Sequence, residues 1–386
     1  MIRVLLVLEA TEGGTLTHLR DLVLGLDPAQ FELTVAVGLS RGPGAEADLE
    51  RFRGRGVEVL VGPMQRAIRP LADLRALLWL RRVIGRGRFD LVHAHSSKAG
   101  LLARLAARAA GVPSLYTPNG WAFLNDEFSP GKRRLFTAIE RRAARWSTYL
   151  LPVSAGEHQA ALDHRITTAD RLVTARNGID LATLRALTPL TRAELGLSAD
   201  QLLAVTIGRR AEQKGDRYLL PAWREVISQR PDAMLLFIGD GPLEAELRAQ
   251  AEALGIADNV RFLGRVASAP RYLPPADLFV LPSLFEGCPY ALMEAMALGC
   301  ACLATAVQGS AELVDDGVTG LLVPPADSDA LAAALLRLAG DADLRAGLGQ
   351  AASRFADEAL DVRRQVAQVA EVYRRVVAEA ARPIPS

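Results

Sequence analysis

The chain has 386 residues, of which 50% are hydrophobic and 23% charged, and its formal net charge at pH 7 is +1. This length is sufficient for two domains, and the composition excludes a disordered chain. No apolar run reaches the roughly 18 residues of a transmembrane helix, and the three cysteines lack zinc-site spacing. The first residues favour a strand over a signal peptide, so we expect a cytoplasmic protein.

The two halves of the chain differ in charge. Residues 1–185 carry 26 Lys and Arg against 18 Asp and Glu, a net charge of +8, and the remainder has a net charge of −7. A basic half favours anionic lipid, a pyrophosphate-bearing acceptor or nucleic acid as partner, but arginines on solvated helix faces would give the same count. Because no stacking platform or reading motif is present, we expect no nucleic-acid partner.

In the first half, short apolar runs typical of buried strands alternate with helical periodicity. The first run, Ile2–Leu8, leads into Gly13, Gly14 and Thr15 and then into a helix. A Gly-Gly turn between strand and helix allows a ligand to approach the backbone closely, and a purely structural βα turn is the alternative.

Two histidines, His93 and His95, end a later strand. Residues two apart on a strand face the same side, but no third ligand is nearby, so the pair does not predict a metal site. His95 lies at the carboxyl end, where ligands bind to sheets of this class. The strand after it leads into Pro118, Asn119 and Gly120.

Two predicted helices of the first half, residues 71–88 and 131–145, are rich in basic residues. The first also contains Trp79 near its apolar side. Basic and aromatic residues together suggest a peripheral contact with an anionic membrane surface. A core-facing Trp79 with solvated arginines is the alternative.

In the second half, a strand ending at Ile207 is followed by a loop with the sequence Gly-Arg-Arg-Ala-Glu-Gln-Lys-Gly, residues 208–215. Cations such as Arg209 and Lys214, placed between a strand and a helix, can clamp a diphosphate by charge-assisted hydrogen bonds. Solvated loop residues are the alternative. Residues 181–199, which contain Pro189, are expected to form the linker that precedes this half.

The most informative stretch is 282–294, Pro-Ser-Leu-Phe-Glu-Gly-Cys-Pro-Tyr-Ala-Leu-Met-Glu. Glu286 lies in a predicted loop after a buried strand, and Glu294 lies in the following helix. The helix N-terminus between them suits a phosphate, and the two carboxylates can bind hydroxyls on either side. That layout matches a sugar diphosphate nucleotide. Alternatively, Glu286 caps a turn and Glu294 is a solvated helix residue.

This stretch resembles the Glu-x7-Glu signature of the retaining glycosyltransferases of family 4, and residues 208–215 resemble the family pattern Gly-Arg-x4-Lys-Gly. The segment 95–113 resembles the polysaccharide-assembling branch. The resemblance implies an α/β protein with the GT-B fold, in which two Rossmann-like domains face each other across a cleft and a C-terminal helix crosses back to the N-terminal domain. The expected ranges are 1–185 for the acceptor-side domain, 186–365 for the nucleotide-sugar-binding domain and 366–386 for the helix.

The resemblance also assigns roles to residues. Glu286, Arg209 and Lys214 are the implied catalytic residues, with Glu286 on the transferred sugar and the two cations on the diphosphate. The implied donor-binding residues are Gly241, Arg265, Val266, Gly287, Cys288, Pro289, Tyr290, Ala291 and Glu294, the last of these on the ribose. The implied acceptor-side or sugar-adjacent residues are Gly13, Gly14, Thr15, His95 and Asn119.

One position departs from the family pattern, since members usually have His-Gly where this chain has Asn119-Gly120. Asparagine donates and accepts hydrogen bonds but takes no charge near neutral pH. In the mechanism proposed for the family, the leaving phosphate takes the acceptor's proton, so activity does not require the histidine.

The resemblance therefore implies retaining transfer of a sugar from a nucleotide-diphosphate donor, commonly a UDP-sugar, to a glycan or lipid-linked acceptor at the inner membrane face, without metal or cofactor. The Asp-x-Asp motifs at Asp327 and Asp341 lie at helix starts, where aspartate caps, so we interpret them as caps. The alternatives are a soluble small-molecule acceptor and a non-catalytic nucleotide-sugar-binding protein, which Asn119 favours.

Overall fold

The computed structural model describes residues 1–9, 11, 13–38, 44–65, 67–125 and 128–380, and the chain forms two compact units. The first unit comprises Met1–Asn177 and Val362–Ser386, and the second comprises Gly178–Asp361. Residues 381–386, the end of the predicted C-terminal segment, lie outside the described residues.

Each unit contains one parallel sheet of six strands, which runs β3-β2-β1-β4-β5-β6 in the first unit and β12-β11-β10-β7-β8-β9 in the second. Each sheet therefore reverses its strand order once, between β1 and β4 and between β7 and β10. The strands are β1 Ile2–Leu8, β2 Phe31–Val37, β3 Glu58–Val61, β4 Leu91–His95, β5 Ser114–Thr117, β6 Tyr149–Leu150, β7 Leu203–Ile207, β8 Met234–Ile238, β9 Val260–Gly264, β10 Leu278–Leu281, β11 Ala301–Thr305 and β12 Leu321–Val323.

Helices form most of the crossover connections between successive parallel strands, and β9 is joined to β10 by a segment with a short 3-10 helix, Ala269–Tyr272. None of the helices in the described part of the chain is long and apolar enough to cross a membrane. The helices are α1 Gly14–Gly25, α2 Gly44–Gly54, α3 Pro70–Gly87, α4 Ser97–Ala110, α5 Pro130–Ala144, α6 Ala155–Asp163, α7 Leu181–Arg185, α8 Asp216–Gln229, α9 Glu244–Ala253, α10 Tyr290–Ala297, α11 Gln308–Ala311, α12 Ser328–Gly340, α13 Ala342–Ala359 and α14 Val362–Ala380.

The first unit has an apolar core on each face of its sheet. One core includes Leu19 of α1 and Phe52 of α2, and α14 contributes Val369 and Tyr373 to it. The other core lies under α3, α4 and α5 and includes Leu80 and other buried side chains. The last helix of the chain is therefore part of the first unit's core.

The segment 181–199, predicted as a linker, is part of the second unit. Its first residues form α7, and Leu184 and Leu197 are buried in a core with Phe279 of β10 and Met296 of α10. Because these leucines are part of the core of the second unit, the prediction of a linker was wrong. They are too far apart in the sequence to show the helical periodicity that would have indicated burial.

Candidate functional site

The candidate residues of the second unit follow the carboxyl ends of neighbouring strands. The loop with Arg209 and Lys214 follows β7, and the loop with Glu286 follows β10. These two strands pair with each other and lie where the strand order of the sheet reverses. In open α/β sheets, ligands bind in the crevice at that position.

The centre of this arrangement is an ion pair between Lys214 and Glu286. The Nζ atom of Lys214 lies 2.5 Å from Oε1 of Glu286, and the Ser283 hydroxyl donates a 2.6 Å hydrogen bond to the same oxygen. Glu286 and Ser283 are buried. The carboxylate is thus held in one orientation, while the Lys214 ammonium retains donors for other anions.

The two loops also contact each other through their backbones. The amide of Leu284 donates to the carbonyl of Gln213 over 2.7 Å, and the side chain of Gln213 donates to the carbonyl of Phe285 over 2.9 Å. Gly215 has a φ of +64°, and a Cβ atom there would lie 2.1 Å from the carbonyl oxygen of Pro282. Only glycine permits this close approach without displacing the backbone.

The two arginines that follow Gly208 have different environments. Arg209 is exposed, whereas the Arg210 guanidinium is buried and donates to the carbonyl of Gly208. Nη1 of Arg210 lies 3.2 Å from Oδ2 of Asp216, the first residue of α8. Burial raises the pKa of Asp216 to about 6, against the opposing effect of the Arg210 and Lys214 charges. The buried pair fixes the loop, and Arg209 remains on its surface.

Arg210 also joins this loop to the loop after β8. The amide of Arg210 donates to the carbonyl of Asp240. A Cβ atom on Gly241 would lie 2.2 Å from the carbonyl oxygen of Arg210. The predicted base contacts follow β9, where Arg265 is exposed and forms a 3.2 Å ion pair with Asp240, and Val266 is half-buried. The structure thus brings the candidate residues after β7, β8 and β9 to one edge of the sheet.

The predicted helix N-terminus is that of α10, which begins at Tyr290 and has Pro289 at its cap position. Gly287, Cys288 and Ala291 are half-buried around it, and Glu294 is half-buried in the second turn. Free amides at such an end favour an anion. The loop before it is anchored to α11, because the amide of Gly309 donates to the carbonyl of Glu286 over 3.1 Å.

The acceptor-side candidates of the first unit also lie at the carboxyl edge of their sheet. Gly13 caps α1 with a φ of +70°, and Gly14 and Thr15 open that helix after β1. Ser96, after β4, donates to the carboxylate of Glu9 at the end of β1. The strand order reverses between these two strands, so this edge also has the geometry of a ligand crevice.

Asn119 lies in the loop after β5 and has a left-handed backbone with a φ of +51°. Asparagine adopts this conformation more readily than most residues. The loop is held by the buried Glu157, whose carboxylate accepts hydrogen bonds from the amides of Gly120 at 2.5 Å and Val153 at 3.1 Å. The asparagine therefore has a conformational reason for its presence, independent of any ligand.

His95 belongs to a cluster of three buried histidines. Its ring centroid lies 4.2 Å from that of His93 and 5.1 Å from that of His18, and its ring nitrogens have no hydrogen-bond partner among the described residues. Burial lowers the pKa of His18 to about 4 and the pKa of His95 well below 6.5. Tyr373 and Asn177 bond the other two rings, so the cluster consists of neutral groups.

Sequence reasoning missed several residues that support the site. Ser283, Arg210 and Glu157 each position a candidate residue or its loop. Ser283 lies three residues before Glu286, and Arg210 directly follows Arg209, but a single sequence gives no signal for the partners of either residue. The interpretation of Asp327 and Asp341 as helix caps is confirmed, since each accepts the amide hydrogen of the residue three positions on.

Comparison with known proteins identifies the family. The model for glycosyl transferases group 1 matches residues 201–341, and the model for the glycosyl transferase 4-like domain matches residues 13–178. Both stretches named above, residues 208–215 and 282–294, lie inside the first match.

The UDP-Gal:alpha-D-GlcNAc-diphosphoundecaprenol alpha-1,3-galactosyltransferase of Escherichia coli is 30% identical over 283 residues, which cover 72% of this chain and 73% of that protein. The amylovoran biosynthesis glycosyltransferase AmsK of Erwinia amylovora is 38% identical over 152 residues, 37% of each chain. The crystal structure of Anabaena HepE with UDP and glucose superposes with a TM-score of 0.82 at 22% identity and covers 97% of this chain and 100% of that chain. The chain therefore belongs to the glycosyltransferases of family 4, of the exopolysaccharide type, and has the two-domain GT-B fold.

Proposed function

We propose that this enzyme transfers a sugar, with retention of anomeric configuration, from a UDP-sugar to a hydroxyl of a lipid-linked glycan, without a metal ion. The observation that carries the proposal is the 2.5 Å pair between Lys214 and Glu286 at the point where the strand order reverses. A carboxylate for sugar hydroxyls and a cation for phosphate oxygens are there in contact.

The charges around this pair suit a departing diphosphate. Lys214, the exposed Arg209 and the N-terminus of α10 together supply positive charge at one edge of the sheet. Such preorganised groups stabilise charge that develops in the transition state, and loss of one donor typically costs about 10²–10³-fold in rate. Ser283 and the buried Arg210 hold these groups in place before the reaction begins.

In the proposed step, the acceptor oxygen forms a bond to the anomeric carbon as the bond from that carbon to the diphosphate oxygen breaks. The electron pair of the broken bond goes to the diphosphate, and the diphosphate oxygen takes the acceptor's proton. Glu286 accepts hydrogen bonds from sugar hydroxyls and orients the ring. No charged side chain is required at Asn119 in this scheme.

The nature of the acceptor is supported by the Escherichia coli relative, whose name specifies a sugar linked to diphosphoundecaprenol. The donor is supported by the same name and by the UDP bound to HepE. An enzyme acting on such an acceptor works at a membrane surface, and we propose a cytoplasmic protein that binds there peripherally.

The first test is a thermal-shift panel of UDP, GDP, ADP and their sugar conjugates, with and without EDTA. A ligand at one hundred times its dissociation constant stabilises the folded state by about 2.7 kcal/mol. We expect UDP and one UDP-sugar to give the largest shift, unchanged by EDTA. A shift that EDTA abolishes would contradict metal independence.

The second test measures sugar transfer by Glu286→Gln and Lys214→Ala. We expect each to lose at least about 10²-fold in kcat while the fold is retained. Arg217→Ala is the matched control, because this half-buried arginine of α8 forms ion pairs with Glu212 and Glu246 near the same loop and with neither Lys214 nor Glu286. Wild-type turnover in either of the two variants would reject the proposed roles.

A further inference from the structure

An exposed row of leucines on α3 is unexplained by the site. Leu71, Leu74 and Leu78 have relative exposures of 76%, 52% and 41%. At about 100° per residue, the three lie within a sector of about 60° on the helix. Ala76 and Leu80 of the same helix are buried on the opposite side. The row therefore points away from the core of the first unit.

Arginines flank this row on both sides. Arg75 and Arg82 lie on one side of it and Arg81 on the other, and all three are exposed. Exposed apolar residues bordered by cations are typical of helices that lie in the plane of an anionic lipid surface. Trp79, which the sequence suggested for such a contact, packs instead against Gly62, where a Cβ atom would lie 2.4 Å from its ring.

The charge of the surrounding helices matches this geometry. Residues 67–145, which include α3, α4 and α5, carry 15 Lys and Arg against five Asp and Glu. Two of those acids are paired with two of the bases, Glu140 with the buried Arg104 and Asp73 with Lys98, which leaves the net excess of ten positive charges unchanged. The basic excess of the first half of the chain is therefore concentrated in the helices on one face of the sheet.

The row also lies at the functional edge of the first unit. Lys98, in the first turn of α4, pairs with Asp73 and donates to the carbonyl of Ala67. This ties the start of α3 to the residues that directly follow β4 and His95. The leucines are thus at the same end of the sheet as the acceptor-side candidates.

We propose that Leu71, Leu74 and Leu78, with the flanking arginines, seat the first unit on an anionic phospholipid surface. The leucines enter the boundary between headgroups and acyl chains, and the arginines contact lipid phosphates. This inference deepens the proposed function, on which it rests for the lipid-linked acceptor, by naming the surface that would meet the membrane.

The test is co-sedimentation of the full chain with vesicles of phosphatidylcholine alone and of equimolar phosphatidylcholine and phosphatidylglycerol. Neither vesicle contains donor or acceptor, so binding is measured independently of transfer. We expect binding to the anionic vesicles that weakens as salt is raised. Equal binding to both vesicles, or to neither, would overturn the proposal.

Two variants identify the surface. The first variant is Leu71→Gln/Leu74→Gln/Leu78→Gln, and its affinity for the anionic vesicles should fall at least about tenfold. The second is Arg75→Gln/Arg82→Gln, and its affinity should fall about fivefold for each arginine replaced. The matched controls are Leu263→Gln and Arg224→Gln/Arg354→Gln, which replace exposed residues of the second unit. The controls should bind vesicles like the wild type.

UDP-induced thermal shifts in vesicle-free solution check that each variant is folded and separate this inference from the proposed function. Loss of vesicle binding with an intact UDP shift supports the lipid surface. Wild-type vesicle binding in the leucine variant would overturn the proposal. If that variant instead changed from dimer to monomer, the row would be an interface between copies.

Discussion

The carboxyl edges of the two sheets have the same topology but different chemistry. In the second unit the edge is charged and is held together by two ion pairs, Lys214 with Glu286 and Arg210 with Asp216. In the first unit it holds the neutral cluster of His18, His93 and His95 beneath its loops. The loops of the second unit are thus preorganised by ion pairs and close backbone contacts. The edge of the first unit is shaped by burial of neutral groups.

The largest expected effect breaks the close backbone contact of the second unit. Gly215→Ala places a Cβ atom 2.1 Å from the carbonyl of Pro282 at a φ of +64°. We expect a loss of about 2–5 kcal/mol in the free energy of unfolding, measured by urea titration, together with loss of the UDP thermal shift.

Gly317→Ala is the control for this change, because Gly317 has a φ of +74° with nothing within 4 Å of its Cβ position. It should lose only the conformational part, about 1–2 kcal/mol. Equal losses in the two variants would show that the contact with Pro282 has no energetic importance.

The second prediction concerns the histidine cluster. Burial lowers the pKa of all three rings below the ordinary value of 6.5. As the pH falls below 6.5, the histidines of the unfolded chain bind protons before those of the folded chain do. The contribution of the cluster to the free energy of unfolding is therefore fully present above pH 6.5 and falls as the pH decreases toward 4. Each histidine contributes up to about 1.4 kcal/mol per pH unit to this loss.

Urea titrations between pH 7 and pH 5 measure the slope of the free energy of unfolding against pH. In His95→Leu this slope should be smaller by an amount that corresponds to about one fewer proton taken up on unfolding. His158→Gln is the control, since His158 lies outside the cluster and bonds Thr174. Asp216 in the second unit has a raised pKa and acts in the opposite direction, so its contribution increases as the pH falls. An unchanged slope in His95→Leu would contradict this account of the cluster.

The third prediction tests the support of Glu286. Ser283→Ala removes the 2.6 Å hydrogen bond to its carboxylate. We expect about a 10- to 100-fold loss in kcat with little change in the KM for the acceptor, since one hydrogen bond to a charged group contributes about 1.5–3 kcal/mol. Ser310→Ala is the control, because its buried hydroxyl has no partner among the described residues. Equal kinetics in both variants would remove Ser283 from the site.

The smallest effect is expected at Asn119, whose φ is +51°. Asn119→Gly should leave the free energy of unfolding nearly unchanged, and Asn119→Ala should lower it by about 1 kcal/mol. Calorimetry of the two variants decides whether the backbone accounts for the asparagine. If both variants have the stability of the wild type, the left-handed conformation does not explain this residue.

The sequence predicted the parts of the site that depend on local order. Arg209, Lys214 and Glu286 follow strands and precede helices, and parallel strands bring their carboxyl ends to one edge. Partners far apart in the chain were not predictable. The buried Arg104 meets Glu140, 36 residues away, and the ring of His93 meets the hydroxyl of Tyr373, 280 residues away. A buried arginine is also contrary to the usual preference of its type for solvent.

Burial on a helix surface was equally difficult to predict. The sequence pattern of α3 does not distinguish the half-buried Trp79 from the exposed Leu74. Trp79 is half-buried because its ring packs against Gly62, which lies outside the helix. The leucines of residues 181–199 illustrate the same limit, since their partners lie in β10 and α10.

The position of α14 has a consequence for synthesis on the ribosome. Gln365 donates to the side chain of Asn177, and Tyr373 is buried in the core of the first unit. That core therefore lacks a helix until α14 has been translated, after the whole of the second unit. The second unit is continuous in sequence, from Gly178 to Asp361, and contains all its own strands. The unit that is translated first is thus the last to be completed.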